Sequence, residues 1–236
     1  MKIIMMDLMF TIVQPSENRW RLYQEVLATL GINATMEEIR RAYEKARRQG
    51  EAEEVTPGGR LPNGYYAKHW SRINSMLIGL LGYPDRASES NGLEVYGEVM
   101  GNPSRYTIAP TTLNFLKDAR VRGYRLCLLT NQETVYVRRF LEAFDLLDTF
   151  QGVYISEELG YKKPDPRLFE EALTRIRIPI SDIAFIGNNP RNDMEGAWRA
   201  GIDHRFLFDP RGEHAYTPTE VSYTVLRELS EVFEHF

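Results

Sequence analysis

The sequence predicts an α/β fold, a doubly wound parallel sheet with helices on both faces and a helical domain inserted after the first strand. Three observations predict it. From about residue 105 the chain alternates between short apolar runs and amphipathic helical stretches, the pattern of a parallel sheet with crossover helices. The apolar run "KIIMM" near the start needs a sheet to join, and its nearest candidate partners lie beyond residue 105. Between them, residues 16–104 carry helical periodicity and almost no strand signal. The expected domains are therefore a core of 1–14 with 105–236 and a helical domain of 15–104.

Each element follows from its local pattern. The first strand ends at Asp7, in a loop that runs to Thr11. In "SENRWRLYQEVLATLG", Trp20, Tyr23, Leu27 and Leu30 recur at helical spacing, and Gly31 supplies the positive φ of a C-terminal cap. "TMEEIRRAYEKARRQG" opens with a capping box, Thr35 to Glu38, and is expected to end at Gly50. Its apolar stripe is Met36, Ile39, Tyr43 and Ala46, with Arg40 and Arg41 on or beside the wet face. "TPGGRLPNG" at 56–64 is a loop on its glycine and proline content. A third helix carries Tyr66, Trp70, Ile73 and Leu77, and a shorter one runs near "GLEVYGEVM".

In the core, "TTLNFLKDARVRG" is a helix closed by Gly123, "RLCLLT" a buried strand, "ETVYVRRFLEAF" a helix and "GVYIS" a short strand. "DPRLFEEALTRI" is a helix capped by Asp165 with Pro166 in its first turn. "DIAFIGN", "DMEGAWRAG" and "HRFLFD" read as strand, helix and strand.

Composition narrows the function classes. The 236 residues are 43% hydrophobic and 26% charged, as in ordinary globular proteins. A net charge of −4 gives no reason to expect nucleic acid. No segment suits a membrane span, so the expectation is a cytoplasmic protein with no membrane partner. The expected oligomeric state is a monomer or homodimer. The single cysteine, Cys127, lies in a strand and is expected in the core. A dinucleotide site is disfavoured, because no G-x-G-x-x-G follows the first strand.

Ligands of doubly wound sheets bind outside the carboxyl ends of the strands. The residues there are Asp7 with Thr11, Thr130 with Asn131, and Asn188 with Asp193 five residues later; Lys163 lies in a loop just before a helix. They supply one possible nucleophile, a hydroxyl and amide pair, a cation and a further carboxylate, a set suited to attack on an electron-poor centre beside anionic charge. Structural roles are open to the same residues: a turn for Asp7, a helix cap for Thr130 and Asn131, a dipole-favoured charge for Asp193.

"LCLLTNQ", "GYKKPDPRLF" and "IAFIGNNPRNDMEGAWRAG", with the tip Asp of the first strand, resemble the four motifs of the haloacid dehalogenase (HAD) superfamily, in order along the chain. The helical insertion is similar to that family's C1 cap. The resemblance implies a Rossmann-like core and a hydrolase in which Asp7 forms an aspartyl ester with a small organic substrate. It further implies that Thr130 and Lys163 hold the substrate's anionic group and the nucleophile, and that Asp193 anchors a Mg²⁺ shell or orients Lys163. Thr11, Asn131 and Asn188 would bind substrate. The metal ligands would be Asp7, the Met9 backbone carbonyl, Asn188 and Asp193, and the cap would close over the site.

Three positions depart from the family's phosphatases. Met9 stands where they carry an Asp that protonates the leaving group, a contribution of roughly 10²–10⁴-fold. Asn188 stands where they carry a metal-binding Asp, which weakens any Mg²⁺ site. Phe10 also replaces the usual Gly. The family's dehalogenases need neither the acid nor the metal, but place a Tyr at the position of Phe169 and an Asn at that of Pro190. The expected substrate is a phosphoester slightly ahead of a carbon–halogen compound, because phosphatases are the commoner occupation of the family the chain resembles. The alternatives are a metal-independent 2-haloacid dehalogenase and a catalytically impaired module that binds a metabolite or protein.

Overall fold

A computed structural model describes residues 1–52, 59–212 and 221–236. The chain divides into two compact units, one of Met1–Gln14 with Ile108–Phe236 and one of Pro15–Thr107.

The first unit is built on a six-stranded sheet. Its strands are β1 (Ile3–Met6), β4 (Arg125–Thr130), β5 (Gly152–Ile155), β6 (Ile183–Gly187), β7 (His204–Phe208) and β8 (Thr224–Leu226). They lie in the order β5-β4-β1-β6-β7-β8, and every neighbouring pair is parallel. All four residues of β1 are buried, as befits a central strand covered on both faces. Met6 sits opposite both Leu128 and Ile186. After β1 the chain builds outward through β4 and β5, then returns to the other side for β6, β7 and β8. The sheet therefore switches direction between β1 and β6, the place where such folds bind ligands.

Helices α5 (Pro110–Val121), α6 (Thr134–Ala143), α7 (Ser156–Leu159), α8 (Pro166–Ile176), α9 (Gly196–Arg199) and α10 (Val232–His235) make the connections and the chain end. Asp165 caps α8, accepting a bond from the Arg167 N–H at 3.0 Å. Phe169 is buried and meets Phe185 edge-on at 5.1 Å between centroids. Cys127 is buried, and burial pushes its thiol up to about 11. The stretch "DMEGAWRAG" is not one helix. Residues Pro190–Glu195 form a π-helical segment, and α-helix begins only at Gly196. The Asn189 side chain explains the offset, since its Oδ1 accepts from the N–H groups of both Arg191 (3.0 Å) and Asn192 (2.8 Å).

The second unit holds α1 (Arg19–Thr29), α2 (Met36–Ala52), α3 (Tyr65–Leu80) and α4 (Glu89–Met100). Two short strands not foreseen from the sequence, β2 (Gln14–Pro15) and β3 (Tyr106–Thr107), mark where the chain passes between the units. The return falls after Thr107 rather than Ser104. Arg105 and Tyr106 explain this, because the Arg105 carbonyl accepts the Ser16 N–H (2.9 Å) and the Tyr106 hydroxyl donates to the Val99 carbonyl (2.7 Å).

The capping box at α2 has both its bonds: Thr35 N–H donates to Glu38 Oε2 (2.8 Å), and Glu38 N–H donates to Thr35 Oγ1 (3.3 Å). Gly31 has φ +69°. The α2 helix runs past Gly50 to Ala52. Gly50 is used for close packing instead, since a Cβ there would meet Ile73 Cγ1 at 2.8 Å. Ile39, Tyr43 and Ala46 are buried as the stripe predicts, whereas Met36 is 44% exposed at the helix start. Arg40 pairs with Glu37 and Glu44, and Arg41 with Glu37, on the wet face. Of the expected loop at 56–64, residues 56–58 lie outside the described ones; 59–64 contain no helix or strand. Trp20, Tyr23 and Tyr43 cluster with centroids 5.4–6.0 Å apart, and Arg19 Nη2 donates to the Tyr43 hydroxyl at 2.6 Å. Gly92 of α4 lies against the backbone of α3, where a Cβ would stand 2.0 Å from the Ser71 carbonyl oxygen. No helix among the described residues is long and apolar enough to cross a membrane.

Candidate active site

Three central strands end side by side. Asp7 directly follows β1, Thr130 is the last residue of β4, and Asn188 directly follows β6. The Asp7 N–H donates to the Ile186 carbonyl at 2.9 Å, so the ladder holds the backbone beneath the carboxylate. Beyond it the chain folds back tightly. The Leu8 carbonyl accepts from the N–H groups of Ile12 (2.9 Å) and Val13 (3.0 Å), and the Phe10 N–H donates to the Val13 carbonyl (2.7 Å). Phe10 takes φ +63°, a left-handed conformation that costs a residue with a Cβ about 1–2 kcal/mol. Gln14 Nε2 donates to the Phe10 carbonyl at 2.6 Å. Met9 is 6% exposed; its thioether belongs to the core and has no proton to give.

The Lys163 ammonium is the centre of the site. It donates to Asp7 Oδ1 (2.7 Å) and to the Leu129 carbonyl (3.1 Å). It also forms an ion pair with Asp193 Oδ1 at 2.7 Å. Asp7, Lys163 and Asp193 are each less than a tenth exposed. Burial raises the Asp7 carboxyl, with the like charge of Asp193 adding to the effect. Lys163 pulls the other way, and the balance leaves Asp7 at about 6. Burial works against the Lys163 ammonium, yet the two carboxylates outweigh it and hold its pKa above the ordinary value.

Asp193 is fixed from two further sides. Its Oδ2 accepts the Asn189 N–H at 2.9 Å. Its carboxylate also lies on Gly187, where a Cβ would come within 2.4 Å of Asp193 Cγ. The glycine of "FIGNN" is thus a requirement of close approach. It could have been suspected from its place before a strand-end polar cluster. The roles of the Leu129 carbonyl and the Asn189 N–H left no trace in the sequence, since any residue brings a backbone.

The other expected site residues fall as follows. Thr130 is buried at the end of β4, and among the described residues none hydrogen-bonds its hydroxyl. Neither Thr130 nor Asn131 caps α6; that position is Glu133. Thr11 Oγ1 donates to Asn188 Oδ1 at 3.5 Å, a long bond. The amide of Asn131 is occupied by the backbone of Lys163, donating to its carbonyl (3.0 Å) and accepting from its N–H (2.8 Å).

These residues do not fit a carboxylate-held Mg²⁺. Among the described residues no three acids, histidines or cysteines gather in metal-binding geometry. Asp193 turns one oxygen to Lys163 and the other to the Asn189 N–H. Asn188 offers a neutral oxygen already approached by Thr11. Two carboxylates sharing one ammonium leave a single formal negative charge for a hard divalent cation.

Comparison with known proteins points to one family. The profile of the haloacid dehalogenase-like hydrolases matches residues 2–201. A phosphoserine phosphatase of Thermus thermophilus is 38% identical over 129 residues, 55% of this chain and 51% of that protein. A glyceraldehyde 3-phosphate phosphatase of Methanothermobacter thermautotrophicus is 34% identical over 129 residues, 53% of this chain and 57% of that one. The chain thus spans little more than half the length of these phosphatases. An (S)-2-haloacid dehalogenase of Pseudomonas sp. is 28% identical over 175 residues, 72% of this chain and 74% of that protein. In three dimensions the fold is similar to the magnesium-bound HAD-hydrolase YfnB of Bacillus subtilis. The TM-score there is 0.75 at 16% identity, covering 99% of this chain and 97% of that one.

Proposed function

The chain belongs to the haloacid dehalogenase-like hydrolases, and from that premise we propose that it hydrolyses a small organic substrate through Asp7 as covalent nucleophile. The supporting observation is the buried Asp7–Lys163 pair at 2.7 Å, at the switch point of the sheet. Lys163 holds Oδ1, and Oδ2 attacks. A bond forms from Oδ2 to the electrophilic phosphorus or carbon, and the bond to the leaving group breaks with its electron pair. Water then hydrolyses the ester and restores the carboxylate. Thr130 and Lys163 hold the substrate's anionic group, Thr11 and Asn188 line the crevice, and Asp193 keeps the ammonium in place.

Met9 sets the kind of leaving group. With no acid at that position, the departing atom must be stable without a proton. A phosphoester with an acidic leaving group meets that condition and is the first choice, in keeping with the phosphatase relatives. A 2-haloacid meets it as well, because halide is a weak base and its displacement needs no metal. The second choice is favoured by the poor fit to Mg²⁺.

The test is a series of aryl phosphates of graded leaving-group pKa, together with 2-chloropropanoate, assayed with and without Mg²⁺. Turnover that rises steeply as the leaving group becomes more acidic, and disappears in Asp7→Asn, supports the proposal. Turnover insensitive to the leaving group, or surviving Asp7→Asn, overturns the assignment of Asp7. No turnover across the panel favours the binding-module alternative.

A further inference from the structure

Lys163 lies between α7 and α8, in a loop that belongs to no strand, yet the residue is only 4% exposed. Its main-chain N–H and C=O both need partners at that depth. One side chain supplies both. Asn131 Oδ1 accepts the Lys163 N–H at 2.8 Å, and Asn131 Nδ2 donates to the Lys163 carbonyl at 3.0 Å. The pair of bonds fixes the amide's orientation, because reversing it would set donor against donor and acceptor against acceptor. Asn131 follows the last residue of β4, so the amide stands on the rigid part of the fold. Two residues earlier, the Leu129 carbonyl takes a bond from the Lys163 ammonium. The end of β4 therefore grips Lys163 at its N–H, its carbonyl and its Nζ.

We infer that Asn131 is a positioning residue for Lys163, and not the substrate-binding group that the sequence pattern implies. Its amide takes the place of an adjacent strand and sets the backbone from which the ammonium reaches Asp7 and Asp193. The contacts at both carboxylates are 2.7 Å, and a misplacement of about 1 Å in such a site can cost about 10²-fold in rate. The catalytic part of this inference rests on the function proposed above; the structural part does not.

Amide hydrogen exchange by NMR on the intact chain reads the structural part directly. In the wild type, the Lys163 amide is expected to exchange at least tenfold more slowly than its unprotected rate, although it sits in a loop. In Asn131→Ala it should exchange at least tenfold faster than in the wild type, while Met5 and Phe185 in the central strands change less than twofold. Exchange at the unprotected rate in the wild type overturns the inference even if the variant fails to fold, and so does unchanged exchange in a folded Asn131→Ala. Kinetics read the catalytic part, with p-nitrophenyl phosphate or 2-chloropropanoate, whichever is turned over. A positioning role lowers kcat about tenfold in Asn131→Ala with KM within twofold, and Asn131→Gln recovers part of the loss. A raised KM with kcat preserved marks direct substrate contact and overturns the assignment. If neither probe is turned over by the wild type, the hydrolase proposal is what has failed, and the exchange data still decide the clamp.

Discussion

The Lys163 ammonium and the Asp7 carboxylate meet at 2.7 Å although 156 residues separate them along the chain. A buried ion pair of this kind contributes little when compared with apolar replacements, but removing one partner strands the other. Here the stranded charges would be two, since Asp193 shares the same ammonium.

Lys163→Met is therefore expected to destabilise the fold by about 3–5 kcal/mol. Urea unfolding at pH 7 measures it. The double variant Lys163→Met with Asp7→Asn should recover part of the loss, because only Asp193 then remains uncompensated. A double variant that sums the two single effects would show that the pair does not interact.

The Asp7 carboxyl at about 6 gives opposite signs for activity and stability. The nucleophile must be ionised, so kcat/KM should rise with pH along an acid limb centred near 6. Stability runs the other way. The folded chain keeps the Asp7 proton up to about pH 6, whereas the unfolded chain loses it near the ordinary value of about 3.9. Between those values the folded state binds more protons, and its stability falls as pH rises. The contribution is complete below the unfolded pKa and gone above the folded one. Wild type measured against Asp7→Asn should show this decline, and an activity limb near pH 4 would contradict it.

Met9→Asp combined with Asn188→Asp should create or raise Mg²⁺-dependent phosphatase activity. The first change supplies a proton donor worth roughly 10²–10⁴-fold, and the second returns a negative charge for the cation. Alkyl phosphates, whose leaving groups need that proton, should gain more than aryl phosphates. Met9 is buried, so the variant also loses stability. An inert but folded double variant would mean that the Phe10 turn has changed the site more deeply than these two positions.

Gly92→Ala tests the second unit by itself. Its Cβ would lie 2.0 Å from the Ser71 carbonyl oxygen and 2.9 Å from the Ser75 nitrogen, both backbone atoms that cannot turn aside. Overpacking of this kind costs about 1–3 kcal/mol or more. A lower thermal midpoint, with increased proteolysis inside 15–107, is the expected result.

Much of the fold was legible because its signals are local. The α2 capping box, the positive φ at Gly31 and the Asp165 cap each involve residues within a few places of one another, and each stands as expected. The misses come from longer range. Gly50 is a plausible helix end until Ile73 is packed against it. "DMEGAWRAG" is a plausible helix until Asn189 takes up its first N–H groups. The Asn131 amide bonds to the backbone of a residue 32 places away, a contact that no local pattern records.

The sequence by itself determined the longer helices and the five strands β1 and β4 to β7, though not the short strands β2, β3 and β8. It also determined that the first strand must be completed from the far end of the chain, and which residues lie at those strand ends. Those are matters of periodicity and chain punctuation, carried by neighbouring residues. Only the tertiary structure decided that one ammonium lies against two carboxylates, that Met9 belongs to the core, and that an asparagine holds a lysine's backbone. Burial and electrostatic strength depend on distances through space, and the fold alone brings residues 7, 131, 163 and 193 close enough for those distances to act.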